Sequence, residues 1–287
     1  MNIRPALESD YGQVLLLLRA LESGSVVPNW ELLFTRHWRS NEQIFGSVLD
    51  DGGHIVGYQG MIFSRRTIRA KEYNFCNLTS TVIKQNYRYQ STALLTKPIR
   101  KLQSDHTITF FASCDVGLAV YKRLGFETLV RDTRVIVPKL HFRKRFEWNF
   151  WHSKNAPSEL ALESDALQIY LDHRHLNCYH FVVTSNKGMS YAIMTKAKKK
   201  KLNVLRVHYV TGSGNIFECI QSNYHKLCFR SGTACIVVDK GILDRHKFPN
   251  VVKLPPMWDR QDQMYFSNTL TDKDIDQLYS ETVVLGV

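Results

Sequence analysis

The sequence predicts an α/β protein of two domains, and three observations carry that prediction. The chain has 287 residues, natural for two domains of about 140 residues each. Segments with helical spacing of apolar residues alternate with short β-branched and aromatic runs. The element order of residues 44–111 (strand, turn, strand, strand, helix, strand) returns in residues 181–238, as a duplication would give. With 44% hydrophobic and 22% charged residues the composition excludes a disordered or collagenous chain.

Ile3-Arg4-Pro5 reads as a short strand, Glu8-Ser9-Asp10 as an acidic helix start, and Val14, Leu17, Leu18 and Leu21 as one helix face. A second helix is expected from Asn29 to Arg39 and a strand from Gln43 to Leu49. Asp50-Asp51-Gly52-Gly53 marks a hairpin turn into a strand from His54 to Phe63. Further strands are expected at Tyr73–Ile83, Thr107–Phe111 and Phe126–Val137, with helices at Ser91–Leu102 and Asp115–Leu124.

Pro138, a basic run at 141–145, Trp148, Trp151 and Pro157 break the pattern, so domains are expected at 1–140 and 158–287 with 141–157 connecting them. The tryptophans are expected to pack as the seam between the halves. In the second half, strands are expected at Phe181–Thr184, Ser190–Thr195, Leu202–Val210 and Ala234–Val238, and one helix at Asn215–Leu227.

The net charge is +12 and the pI near 9.4, so an anionic partner is expected: nucleic acid, an anionic membrane surface, a phosphorylated cofactor or an acidic carrier protein. The longest aliphatic run, Val14 to Leu18, is far short of the roughly 18 to 20 residues of a membrane span, and no signal peptide opens the chain, which predicts a cytoplasmic protein. Six cysteines without a C-x-x-C read as reduced buried thiols, with no metal site expected.

In residues 82–95 an apolar strand ends in an Arg-bearing turn that opens directly into a helix. Backbone N–H groups at such a start carry the positive end of the helix dipole and suit a pyrophosphate. An ordinary connection with Ser91 as N-cap is the alternative.

Arg88-x-x-Ser91-x-Ala93 resembles the R/Q-x-x-G-x-G/A acyl-CoA motif of the GNAT superfamily of N-acyltransferases. Residues 115–126, with Tyr121 and Gly125-Phe126 in register, resemble the family's N-x-x-A-x-x-x-Y-x-x-x-G-F segment. Ile3-Arg4-Pro5-Ala6 with Asp10 resembles its first strand and helix cap. Ser91 stands where glycine is usual, and the usual Asn falls at Cys114 or Asp115.

The resemblance spans roughly residues 2–137 and implies a mixed, mostly antiparallel twisted sheet flanked by helices, with a second, degenerate GNAT-like domain behind it. It implies acetyl-CoA or another acyl-CoA as cofactor, with acyl-carrier protein as an alternative donor. Cofactor-binding residues would be Val82, Ile83, Arg88, Tyr89, Gln90, Ser91, Thr92 and Ala93. A primary amine would attack the thioester directly, a backbone N–H around Val82 and Ile83 would stabilise the oxyanion, and Tyr121 would protonate the thiolate. Without the resemblance, Tyr121 also reads as a core tyrosine. Glu72, His54 or a water chain are the base candidates.

The C-terminal Asp276–Leu285 resembles the ending of tandem GNAT proteins associated with bacterial surface-polysaccharide synthesis, which points to an amino-sugar acceptor; an amino acid, a peptide N-terminus and a polyamine are the other acceptors open. Gly212-Ser213-Gly214 is a faint echo of a phosphate turn, so the second half is expected to bind no cofactor. Lys196 and Lys198–Lys201 are expected at a hairpin tip, solvated or facing an acidic carrier protein, an anionic acceptor or RNA. The alternatives to an enzyme are a non-catalytic binding module of the same fold and a basic RNA-binding protein, the latter disfavoured by the absence of any RNA-binding motif.

Overall fold

A computed structural model describes the chain except residues 22–27, 36–37, 112–114, 130–131, 140–146, 156, 158–159, 186–187, 200, 213–215, 247, 249, 254–262 and 287, together with the side chains at 115, 116, 164 and 199. In chain order its first elements are β1 (Asn2–Pro5), α1 (Tyr11–Arg19), β2 (Gly46–Asp51), β3 (His54–Ile68), β4 (Lys71–Ile83), α2 (Ser91–Leu102), β5 (His106–Phe110) and α3 (Asp115–Arg123). Then come β6 (Glu127–Thr128), β7 (Thr133–Ile136), β8 (Glu147–His152), α4 (Ser164–His173), β9 (Tyr179–Ser185), β10 (Gly188–Lys199) and β11 (Leu202–Gly212). The chain closes with α5 (Ile216–Ser222), α6 (Tyr224–Ser231), β12 (Cys235–Asp239), α7 (Lys240–Arg245), β13 (Val251–Lys253), β14 (Met264–Phe266) and α8 (Glu281–Val284).

Two compact units result: Met1–Val130 with Gln261–Val287, and Arg131–Arg260. The division expected at 140 and 158 is corrected at both ends. β7 and β8 lie in the second unit's sheet, and residues 264–287 return to the first. Trp148 and Trp151, expected at a seam, sit in β8 paired to β9, where Trp151 stacks on His180 at 6.2 Å between ring centroids.

The first sheet has the order β1-β2-β3-β4-β5-β14-β6, antiparallel except for the β4–β5 pair. Its hairpin turn is made by Gly52 and Gly53, both at positive φ, with Asp50 accepting the Gly53 N–H at 2.7 Å. Arg4 donates twice to buried Asp10, at 2.7 and 2.8 Å, and once to Asp50 at 2.9 Å. Asp10 also accepts the Leu7 N–H, and its hydrogen bonds with Arg4 hold its carboxyl below the ordinary carboxylate range. One sheet face packs Met61, Cys76, Leu78, Ile108 and Phe110 on Leu95 and Ile99 of α2 and Tyr121 of α3. On the other face, Phe75 and Phe111 meet Tyr265, Leu270 and Ile275 from the chain's end. Such burial contributes roughly 1.5–3 kcal/mol per large apolar side chain.

The second sheet has the order β13-β7-β12-β11-β10-β9-β8, antiparallel except for β11–β12. Read from β8, it matches the first sheet strand for strand. Four successive antiparallel strands lead to a helical crossover, α2 in one and α5–α6 in the other, and then to a parallel strand. β7 and β14 occupy the same place in opposite sheets: β7 stands between β12 and β13, β14 between β5 and β6. The core of this sheet centres on Phe181, Leu205, Val207, Phe217 and Ile236. On the opposite face of the sheet, buried His180 contacts Ser153 Oγ at 2.9 Å and the Tyr191 hydroxyl at 2.8 Å.

Three expected elements are corrected. The strand 126–137 is two strands in two sheets, β6 and β7. The helix 29–39 is only a 3-10 turn, Trp30–Phe34, and Trp38 and Arg39 have positive φ, which no helix continues through. The helix 215–227 is α5 and α6, parted at Asn223, whose side chain donates to Cys219 O at 3.1 Å and whose backbone leaves the helical region.

Candidate functional site

β4 and β5 part company at the end of their ladder. They pair in parallel from Asn74 with His106 to Leu78 with Phe110, and β4 then continues to Ile83 as a partner of β3 alone. A bulge at Ser80, where φ is +33°, lies just past the last rung and bends the strand. Lys84 N–H donates to Val56 O at 2.8 Å, which fixes the antiparallel alternation: Val82 turns its N–H to β3, and Thr81 and Ile83 turn theirs to the open edge. Of Val82 and Ile83, only Ile83 turns its N–H to the open edge.

The turn after β4 differs in detail from a bare helix start. Gln85–Gln90 form a 3-10 turn that runs straight into α2. Tyr87 N–H already donates to Lys84 O at 2.9 Å and Ser91 N–H to Arg88 O, so those amides are satisfied within the turn. Tyr87 also bonds Asp51 through its hydroxyl at 2.8 Å, which tethers the turn to the β2–β3 hairpin and holds the phenol above its ordinary value. Arg88, Tyr89 and Thr92 are exposed; Gln90, Ser91 and Ala93 are half-buried, and Leu94 and Leu95 anchor the helix beneath them. Ser91 has φ −58° and ψ −43°, ordinary helix, so this position asks no conformational freedom of a glycine.

Tyr121 lies on α3 with 1% of its surface exposed. Its ring packs on Phe110 at 4.5 Å and on Phe126 at 5.2 Å between centroids. Phe110 is the last rung of the β4–β5 ladder, so the ring sits where the strands separate. Gly125, at φ +84°, ends the helix and returns Phe126 onto the tyrosine. Cys114 lies outside the described residues, as does the side chain of Asp115.

The opposite face of the same strands carries a buried polar chain that sequence reasoning missed. Asn77, just before the last rung, donates to Glu281 of α8 at 2.7 Å and accepts from Thr109 of β5 at 3.1 Å. Glu281 is 6% exposed. Only the return of the chain's end to the first sheet brings it here, and no local signal announces that. Arg66 similarly reaches Asp276 at 3.0 Å and lies 3.9 Å over the Phe75 ring; burial lowers its pKa.

The expected base candidates are elsewhere. Glu72 stands near the start of β4, 3.7 Å from Arg65, and lines a polar groove of about 490 Å³ with Tyr73, Asp105 and His106. Eleven residues of strand, about 35 Å, separate it from Ile83. His54 is exposed at the β2–β3 hairpin. Among the described residues no three His, Cys, Asp or Glu groups are arranged to hold a metal ion. Cys76, Cys178, Cys219 and Cys228 are buried, and burial pushes the Cys178 and Cys219 thiols up to about 12.

No protein-family model and no curated protein matches the chain. Solved structures do. A GCN5-related N-acetyltransferase from Anabaena variabilis is similar with a TM-score of 0.59 at 12% identity, over 92% of this chain and 71% of that one. A probable N-acyltransferase from Enterococcus faecalis gives 0.57 at 11% identity, over 92% and 72%. A GCN5-related glucosamine N-acetyltransferase region of a fungal multi-domain β-N-acetylglucosaminidase gives 0.53 at 11%, over 92% of this chain and 38% of that one. At such identities the likeness shows a shared fold, the mixed and mostly antiparallel fold of the GCN5-related N-acetyltransferases.

Proposed function

We propose, with that fold as the premise, that the first unit is an N-acyltransferase that moves an acyl group from acyl-CoA to a primary amine. The observation that carries this reading is the open edge of β4 beyond its last rung with β5, flanked by the start of α2 and by Tyr121. A pantetheine arm laid in that gap continues the sheet by hydrogen bonding to the free edge, as an added strand would. Arg88 and the first turn of α2 then meet the pyrophosphate, with fewer free amides than a bare helix start offers.

The reaction needs a deprotonated amine, a stabilised oxyanion and a proton for the departing thiolate. The N–H of Ile83 or Thr81 faces the oxyanion. Tyr121, on the face packed by α2 and α3, protonates the thiolate sulfur. Glu281, held by Asn77 on the opposite face, accepts the amine proton directly or through water. Acid and base on opposite faces suit an attack in which amine and thiol lie on different sides of the carbonyl. No covalent intermediate with the protein is involved.

An amino sugar is the acceptor we favour, supported by the glucosamine named for one structure of the same fold. Acyl-carrier protein remains an alternative donor. The second unit repeats the strand order and has its own bulge, at His208, and we read it as a duplicated domain that binds no cofactor.

Calorimetric titration with acetyl-CoA and longer acyl-CoAs tests the reading, followed by an acceptor screen that includes glucosamine. Saturable binding lost in an Arg88→Ala, Ser91→Trp variant supports it. Binding without turnover on any amine leaves the non-catalytic module, which the internally bonded turn would favour, and no binding at all removes the cofactor site.

A further inference from the structure

The net charge is distributed in one unit only. The second unit carries 22 Lys and Arg against 10 Asp and Glu, while the first carries 16 of each, so the whole +12 lies between residues 131 and 260. A densely basic part of that surface is formed by the β10–β11 hairpin and the end of α6. Residues 196–203 hold five lysines and residues 223–232 add Lys226 and Arg230, with no acidic residue in either segment. The two segments are neighbours: Ala234 N–H donates to Asn203 O at 2.7 Å, and the Lys196 ammonium lies 3.3 Å from where a Cβ on Gly232 would stand. Lys196, Lys198, Lys201, Lys226 and Arg230 are all exposed. Arg230 is held 5.8 Å over the rings of Trp148 and Phe150.

Among these cations stands one large apolar side chain that the fold leaves in water. Phe229 is 88% exposed. A solvated charge run explains the lysines but not a phenyl ring presented almost whole to solvent beside them. We propose that this surface docks the second unit on an anionic lipid bilayer, with Phe229 entering the interface and the lysines and Arg230 meeting lipid phosphates. Cations clustered around a protruding aromatic are the combination that anionic interfaces retain. Nucleic acid uses the cations equally well, but the patch presents a single exposed aromatic ring and no row of them on which successive bases would stack. No described helix is long and apolar enough to cross a membrane, and the contact proposed is a peripheral one. The proposal is independent of the acyltransferase reading.

Cosedimentation of the full chain with vesicles tests it, using neutral phosphatidylcholine and phosphatidylcholine mixed with phosphatidylglycerol. The expected result is binding to the acidic vesicles alone, released by salt. Phe229→Ser should weaken it about tenfold, and Lys198→Glu with Lys201→Glu by at least about thirtyfold. Both variants alter exposed side chains, and unchanged circular dichroism confirms their fold. Absence of binding to acidic vesicles, equal binding to neutral ones, or binding that neither variant weakens overturns the proposal. So does an RNA or an acidic carrier protein that the patch retains while vesicles are ignored.

Discussion

At the scale of single residues, the two groups assigned to proton transfer make separable predictions. Tyr121→Phe removes one hydroxyl from a ring fixed by Phe110 and Phe126, so acyl-CoA affinity should be unchanged while kcat falls by about 10²-fold or more. Steady-state kinetics with calorimetry checks this, and an unaltered kcat removes the tyrosine from the mechanism. Glu281→Gln keeps an acceptor for Asn77 but not a base, and should lower kcat without raising the KM for acyl-CoA. In the second unit, burial together with the nearby His173 and His152 lowers the pKa of His180 to about 3. A depressed histidine stabilises the fold fully above its unfolded value of about 6.5 and loses that contribution as pH falls toward about 3, because only the unfolded chain binds the proton there. Thermal melts between pH 7 and 4 should show stability falling with acid by up to about 1.4 kcal/mol per pH unit. His180→Gln, still able to bond Ser153 and Tyr191, should flatten that slope; an identical slope would count against the assignment.

At the scale of elements, legibility followed periodicity. The helix read as Ser91 to Leu102 has those bounds because Leu94, Leu95, Ile99 and Leu102 form one buried face and Ser91 follows a turn. Local pattern failed where tertiary structure redirected the chain. Phe126–Val137 is a continuous β-prone run, yet Leu129 N–H bonds Gln263 O and the segment beyond Asp132 joins another sheet. Asn223 breaks an otherwise helical run, which propensity alone does not require. Ser91 departs from the glycine pattern, and its place as the first residue of the expected helix matches the helical backbone it has. Two glycines at positive φ separate conformation from space. A Cβ on Gly125 would touch only the Phe266 ring, at 3.7 Å, whereas one on Gly212 would lie 2.3 Å from Met189 O. Gly125→Ala should therefore cost about 1–2 kcal/mol from backbone conformation alone, and Gly212→Ala clearly more, as chemical denaturation would show.

At the scale of the whole molecule, the sequence disclosed two α/β halves and their repeated order, because each half keeps its strands and crossover helix in local succession. It did not disclose that β7 and β14 change sheets, or that Glu281 reaches Asn77, because pairings across 204 residues of chain leave no trace in local pattern. A chain ending at residue 260 should lose β14 and the packing of Tyr265, Leu270 and Ile275 on Phe75 and Phe111. Limited proteolysis of that truncation should find the first unit open and the second, continuous from 131 to 260, protected.

The exchanged strand β14 also sets a timetable for the chain as it leaves the ribosome. The first unit cannot close its sheet until residues 261–287 have been made, whereas the second needs nothing beyond residue 260. Synthesis therefore delivers the second half first as a finished body. Glu281 reaches Asn77 only once residues 261–287 have followed, so a nascent chain stalled before them lacks the buried polar chain on β4.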